Sequence, residues 1–209
     1  MVKTEVFYLS TGEKKEELKH TVSMFNKYKD LLTELTRKNV KLKYRNSWLG
    51  IFWSFLQPLL NMIVLSVIFG ALLGRKKDGI ICYPVYLFSG RLIYEFFVTS
   101  TKQSLTAFRR NASIIKKVYV PKYMYPLAAI LSNFIIFLIS LIVLFGVAIV
   151  LKVAPSWWMF MAVVPILQLL LICIGVGLIL GTLAVFFRDL EYLWGVALML
   201  IMYTCAIFY

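Results

Sequence analysis

Of the 209 residues, 61% are hydrophobic with tyrosine counted, and the mean hydropathy is +0.80. Soluble domains hold about 45–50% apolar residues, so an ordinary soluble domain is excluded and lipid is the expected solvent. The balance of 23 Lys+Arg against 10 Asp+Glu, a net charge of +13, would suggest nucleic acid if it were spread over a surface. Instead it is gathered into blocks beside long uncharged runs, the pattern of cytoplasmic loops flanking membrane spans, and no nucleic-acid partner is expected.

In chain order, residues 1–22 read as a polar tail with no cleavable signal pattern. Residues 23–48 follow as an amphipathic helix and a basic approach. Met24, Phe25, Tyr28, Leu31, Leu32 and Leu35 recur at helical spacing while Lys27, Lys29, Asp30, Glu34, Arg37 and Lys38 fill the other face. Such a helix is expected to lie in the headgroup plane of the inner leaflet. Packing against a protein partner is the alternative.

Residues 49–209 form the expected transmembrane domain, an all-α polytopic bundle. The chain is uncharged over 46–74, 123–151, 153–187 and 192–209, and over 79–101 except for Arg91 and Glu95. A helix needs about 20 residues to cross a bilayer core. Five spans are expected, at about 49–73, 80–101, 124–150, 157–187 and 191–209, with a cytoplasmic loop over 102–122. With the N-terminus inside, 18 basic residues fall on the cytoplasmic side and 4 outside, as the positive-inside rule requires. The three cysteines are scattered and His20 is the single histidine, so neither a disulfide framework nor a metal site is expected. No P-loop or cytosolic carboxylate cluster supports an enzyme reading.

Four segments carry more than composition. They are Lys41–Gly50 with Trp53 and Pro58; Asn111–Pro121 followed by Tyr125-Pro126-Leu127; Phe186-Phe187-Arg188-Asp189-Leu190; and Tyr83-Pro84 to Phe96-Phe97, with Phe88-Ser89-Gly90 inside it. From about residue 28 onward the chain resembles the permease subunit of polysaccharide ABC exporters, the O-antigen, capsule and teichoic-acid group of type-two ABC membrane domains. The resemblance implies an inner-membrane subunit that exports a lipid-linked polysaccharide. It also implies a homodimer of permeases and a separate ATPase subunit that binds ATP and Mg, with no cofactor on this chain. Family members usually have six spans, so this chain is expected to be truncated at its C-terminus. A permease for a drug or small lipid is the alternative.

The 102–122 loop is basic, is expected to hold a short helical stretch at about Ser104–Arg110, and ends in Pro121, a rigid stop. The resemblance makes it the coupling segment that docks on the ATPase, through Ser104, Phe108, Arg109, Asn111, Lys116, Lys117 and Pro121; an inert positive-inside loop is the alternative. Lys41, Lys43 and Arg45 are candidates to attract a pyrophosphate or, equally, anionic lipid headgroups. Arg91 and Glu95 stand one helical turn apart where charge is expensive, spaced to pair with each other. They serve a water-filled path or a subunit interface, or else neutralise each other at a buried helix contact, and the family's usual residues there are uncharged. Arg188 and Asp189, at the inner end of the fourth span, are expected to anchor that end and cap the next helix, a role compatible with gating. Gly177-x-x-x-Gly181 permits close helix packing.

Overall fold

The computed structural model describes residues 28–43, 52–67, 83–117, 120–150 and 161–205. Among them every regular element is a helix: α1 (28–43), α2 (Trp53–Val67), α3 (Tyr83–Arg110), α4 (Ala112–Ile115), α5 (Met124–Val150), α6 (Val163–Phe186) and α7 (Leu190–Thr204). The polar tail, Arg45, the 151–160 connection and the last four residues lie outside the described residues.

Helices α5 and α6 are long and apolar enough to cross a membrane. At 27 residues, α5 extends about 40 Å at 1.5 Å per residue. Its start is set by Pro121, whose carbonyl accepts from Met124 N at 3.1 Å. Pro126 falls in the first turn of α5, where the missing N–H removes no helical bond. Apolar side chains cover α6 on all sides, and Leu171, Ile179 and Phe186 are 68%, 60% and 79% exposed. In water such a surface would aggregate; in lipid it is at rest.

The long polar helix α3 is the hub, packed against α5 and α6 and also touching α2, α4 and α7. Phe88, Leu92 and Phe96 bury against Ile130, Phe137, Leu144 and Cys173 to form the main apolar core. The helical stretch expected at about Ser104–Arg110 is continuous with the helix before it: α3 runs unbroken to Arg110, because Leu105 and Ala107 are buried like the residues before them and packing continues past the end of the uncharged run.

Helix α1 sorts its side chains by exposure. Leu32 and Leu35 are buried while Lys29, Glu34, Arg37 and Lys38 are exposed. Its apolar face is covered by the chain itself: Leu32 and Leu35 pack with Ala107, Met124, Tyr125 and Ala128. This face docks on the Arg110 end of α3 and the start of α5.

Candidate functional site

A cavity of about 260 Å³ opens between α1, α3 and α5. Its polar lining comes from Lys38, Asn39, Lys43, Gln103, Arg110 and Asn133, with Asn111 and Ser132 beside them, and none of the described residues that line it is acidic. It adjoins a narrower cavity of about 50 Å³, where Gln57 and Asn61 of α2 face Glu95 and Thr99 of α3 and Ser140 of α5. Lys43, Asn133 and Ile136 line both. A water occupies about 30 Å³ of liquid. The wide part therefore takes several waters, and the neck beside Glu95 takes one or two.

The cleft is polar because the helices carry hydrogen-bonding side chains at matching depth. Asn133 Nδ2 donates to Gln103 Oε1 at 3.0 Å and to the carbonyl of Ala129 at 3.0 Å. Lys43 lies at the junction of the two parts. Crowding against the walls pulls its ammonium below the ordinary lysine pKa, and the nearby Glu95 carboxylate opposes that shift.

A second cluster lies where α3 ends. Asn111 leaves helical geometry, with φ −106° and ψ 14°. Its side chain donates to the carbonyl of Ala107 at 2.9 Å, and its own carbonyl accepts from Ile114 N and Ile115 N, each at 3.0 Å. One residue thus closes α3 and opens α4. Ile114 and Ile115 pack against the core that holds Leu32, Leu35, Met124 and Tyr125, leaving Ala112, Ser113, Lys116 and Lys117 exposed. Beside this turn, Arg109 Nη2 donates to Glu191 Oε2 in an ion pair between α3 and α7.

Two further contacts continue that link along α3. Trp194 Nε1 donates to Thr101 Oγ1 at 3.1 Å, and Tyr94 OH donates to the carbonyl of Leu198 at 2.8 Å. On the α6 side, Ser104 Oγ donates to the carbonyl of Gly177 at 2.8 Å. A Cβ at Gly177 would fall 2.8 Å from Ser104 Oγ, and one at Gly181 would fall 3.2 Å from Ser104 O. The two glycines let α6 lie directly on α3, the close approach their spacing permits.

Residues 30–209 match the membrane domain of the ABC-2 type transporter family. The chain belongs to that family. An O-antigen export system permease protein of Klebsiella pneumoniae is 33% identical to it over 182 residues, which is 86% of this chain and 69% of that protein. A second such permease from the same organism is 31% identical over the same extent. A Myxococcus xanthus O-antigen export system permease protein is 28% identical over 166 residues, 79% of this chain and 63% of its own. An ABC-2 membrane subunit is embedded in a bilayer, which accounts for the exposed apolar faces of α5, α6 and α7.

Within this ABC-2 chain the residues singled out from sequence separate into two groups and several strays. Arg109, Asn111, Lys116, Lys117 and Pro121 gather at the α3–α4–α5 corner, and Glu191 brings the start of α7 to Arg109. Ser104 does not belong with them. It is fully buried under α6, a packing contact beyond the reach of any soluble partner in this conformation. Phe108 is half-buried against Gly181 and the α1 core, so it fastens the corner rather than exposing a docking surface.

Lys43 lines the cleft and Lys41 does not, although both are exposed. Arg91 and Glu95 form no ion pair with each other: Glu95 lines the neck, and Arg91 is not among its described lining residues. Helical spacing allows that pair, but the cleft sets Glu95 among polar side chains and near the charge of Lys43. Asp189 stands at the start of α7 without a side-chain cap bond. Its backbone carbonyl accepts from Tyr192 N and Leu193 N at 3.1 and 3.2 Å, while the first-turn acid Glu191 is turned to Arg109. Arg188 is exposed.

The cleft residues that charge counting passes over are Gln57, Asn61, Gln103, Asn133 and Ser140. The signal for four of them is an uncharged polar residue inside an apolar run. Such a group must find a partner or water when buried.

Proposed function

We propose that this chain is the membrane-spanning permease subunit of an ATP-driven ABC exporter. Its cargo is a lipid-linked polysaccharide of the O-antigen, capsule or teichoic-acid type, carried across the bacterial cytoplasmic membrane. The observation that carries this reading is the likeness, over 86% of the chain, to proteins named O-antigen export system permeases. Two permeases pair with two ATPase subunits, which bind ATP and Mg.

In this reading α2, α3, α5, α6 and α7 are the cores of five spans, the N-terminus is cytoplasmic, and α1 lies along the inner headgroup plane. The exposed face of α4 with Lys116 and Lys117 meets the ATPase. Closure of the ATPase dimer pushes that face. Asn111 and the Pro121 turn pass the push into α3 and α5, since both are hydrogen-bonded to the helix ends they join. The Arg109–Glu191 pair passes it to α7. Tilting α3 against α5 widens the neck beside Glu95, which at about 50 Å³ is shut to anything larger than water.

Removing the gene tests the reading. A lipid-linked polymer should accumulate on the cytoplasmic face; unchanged glycan display with a gained sensitivity to a drug would place the cargo in another class. Reversing Lys116 and Lys117 to glutamate should weaken co-purification of the ATPase while membrane insertion persists. Full association and transport in that variant would leave the 111–121 segment an inert loop.

A further inference from the structure

One face of α3 is polar and open. Arg91, Glu95, Val98 and Lys102 follow at intervals of four, three and four residues and so share it; the first three are half-buried and Lys102 is exposed. Behind them, Phe96, Ser100 and Ala107 are buried. Arg91 stands eight residues inside the helix, about 12 Å from its start. It takes part in no hydrogen bond or ion pair among the described residues. A guanidinium is always charged, and charge within a span is costly unless paired or hydrated.

The choice of counter-charge is narrow. Glu95 is the single acid in α2, α3, α5 and α6, while Glu34 and Glu191 are paired with Arg37 and Arg109. Within one chain Arg91 and Glu95 do not meet, and Glu95 lines the neck with Lys43. A carboxylate has about four lone-pair positions, so facing Lys43 leaves it able to accept from a second cation. A two-fold axis along the membrane normal supplies one. It holds each residue at the same depth in both copies, and in such an isologous contact residue i meets j while j meets i. Arg91 and Glu95 differ in depth by about 6 Å, which an extended arginine side chain spans. Two copies facing through this side form two identical pairs, Arg91 with the partner's Glu95 and Glu95 with the partner's Arg91. Lys102 lies about 10 Å nearer the inner end than Glu95, and its stem carries the ammonium toward the inner headgroups.

We propose that this face of α3 is a contact with a second copy of the chain, closed by reciprocal Arg91–Glu95 pairs across a two-fold axis. The inference rests on the reading of two paired permeases and deepens it by naming the face through which they meet. Its test needs neither ATPase nor glycan.

The test is energy transfer between donor- and acceptor-labelled copies of the purified protein in liposomes. Arg91→Glu alone and Glu95→Arg alone each set like charges against one another across the axis and should weaken self-association at least about tenfold. Mixed with each other, the two variants present opposite charges and should associate as wild type does. Rescue between separate chains is beyond a pair that only supports its own fold. Lys102→Gln should leave association unchanged. In a chain with Cys82, Cys173 and Cys205 replaced by alanine, Val98→Cys should give a disulfide-linked dimer on mild oxidation, whereas Ile172→Cys, on an exposed face of α6, should not. Wild-type self-association of either charge reversal, no association in their mixture, or no crosslink through Val98→Cys would each overturn the proposal. A crosslinked dimer in cells that export no glycan would keep the contact and remove the export reading.

Discussion

Helices α3 and α6 are similar in length, 28 and 24 residues, yet solve the same solvent problem in opposite ways. Helix α6 is apolar but for Gln168 and Thr182 and leaves Leu167, Leu171, Ile172 and Ile179 exposed; its tight side is made of Gly177 and Gly181 against α3. Helix α3 carries Thr101, Gln103 and Ser104, each bonded to a different neighbour: α7, α5 and α6. Lipid offers no hydrophobic force between helices. A helix rich in polar groups must therefore collect partners and becomes the hub, while an apolar helix needs close contact only where small residues allow it.

The sharpest way to break this comparison uses two glycines in one helix. A Cβ at Gly177 would overlap Ser104 Oγ and Ile130 Cδ1, at 2.8 and 2.9 Å, while at Gly175 nothing lies within 4 Å. Gly177→Leu should cost about 3 kcal/mol through overpacking and scatter the protein on size exclusion. Gly175→Leu should behave as wild type. Equal behaviour would mean that α6 does not rest on α3 through this face.

Next comes the Arg109–Glu191 link. Both side chains are nearly half exposed, so the pair should contribute only about 0.2–1 kcal/mol to stability. Arg109→Glu should nonetheless reduce transport several-fold if the pair relays movement to α7, and adding Glu191→Arg should restore it. Transport in vesicles, set beside thermal stability, separates relay from support; a proportional fall in both would leave a purely structural pair.

A smaller effect is expected at the α3–α5 contact. Asn133→Ala removes the bond to Gln103, and polar contacts of this kind between membrane helices average about 0.6 kcal/mol, with a maximum near ~1.7. Unfolding of the protein in mixed micelles should shift within that range. A larger shift would show that Asn133 also holds the cleft open through water.

The smallest change is predicted on the lipid face. Ile172→Ala shortens a side chain that is 53% exposed. In a bilayer it should shift the same unfolding measurement by less than about 0.5 kcal/mol, because lipid fills the vacated space with equally apolar chain. A destabilisation typical of a buried isoleucine, about 2–5 kcal/mol, would reveal a protein partner on this face.

Much of this was legible in the amino-acid order. The bounds of α5 follow from an uncharged run between Lys122 and Lys152, since a bilayer tolerates charge only at its edges. The packing of Gly177 and Gly181 was readable from their spacing. Composition determines which segments prefer lipid, where charge must stop, and where a backbone can be approached closely, because each is a property of one segment and its solvent. Which partner a polar side chain takes is decided by the fold alone. Arg91 and Glu95 have the spacing of a pair, yet Glu95 lines the neck. Ser104 sits in the expected coupling segment, yet it bonds the carbonyl of Gly177. Gln57 and Asn61 lie far along the chain from Gln103 and Asn133, and only the packing of α2, α3 and α5 brings them to the two adjoining parts of one cleft. A hydrogen bond reaches about 3 Å, so its partner is settled by which helices become neighbours, and no local pattern carries that distance.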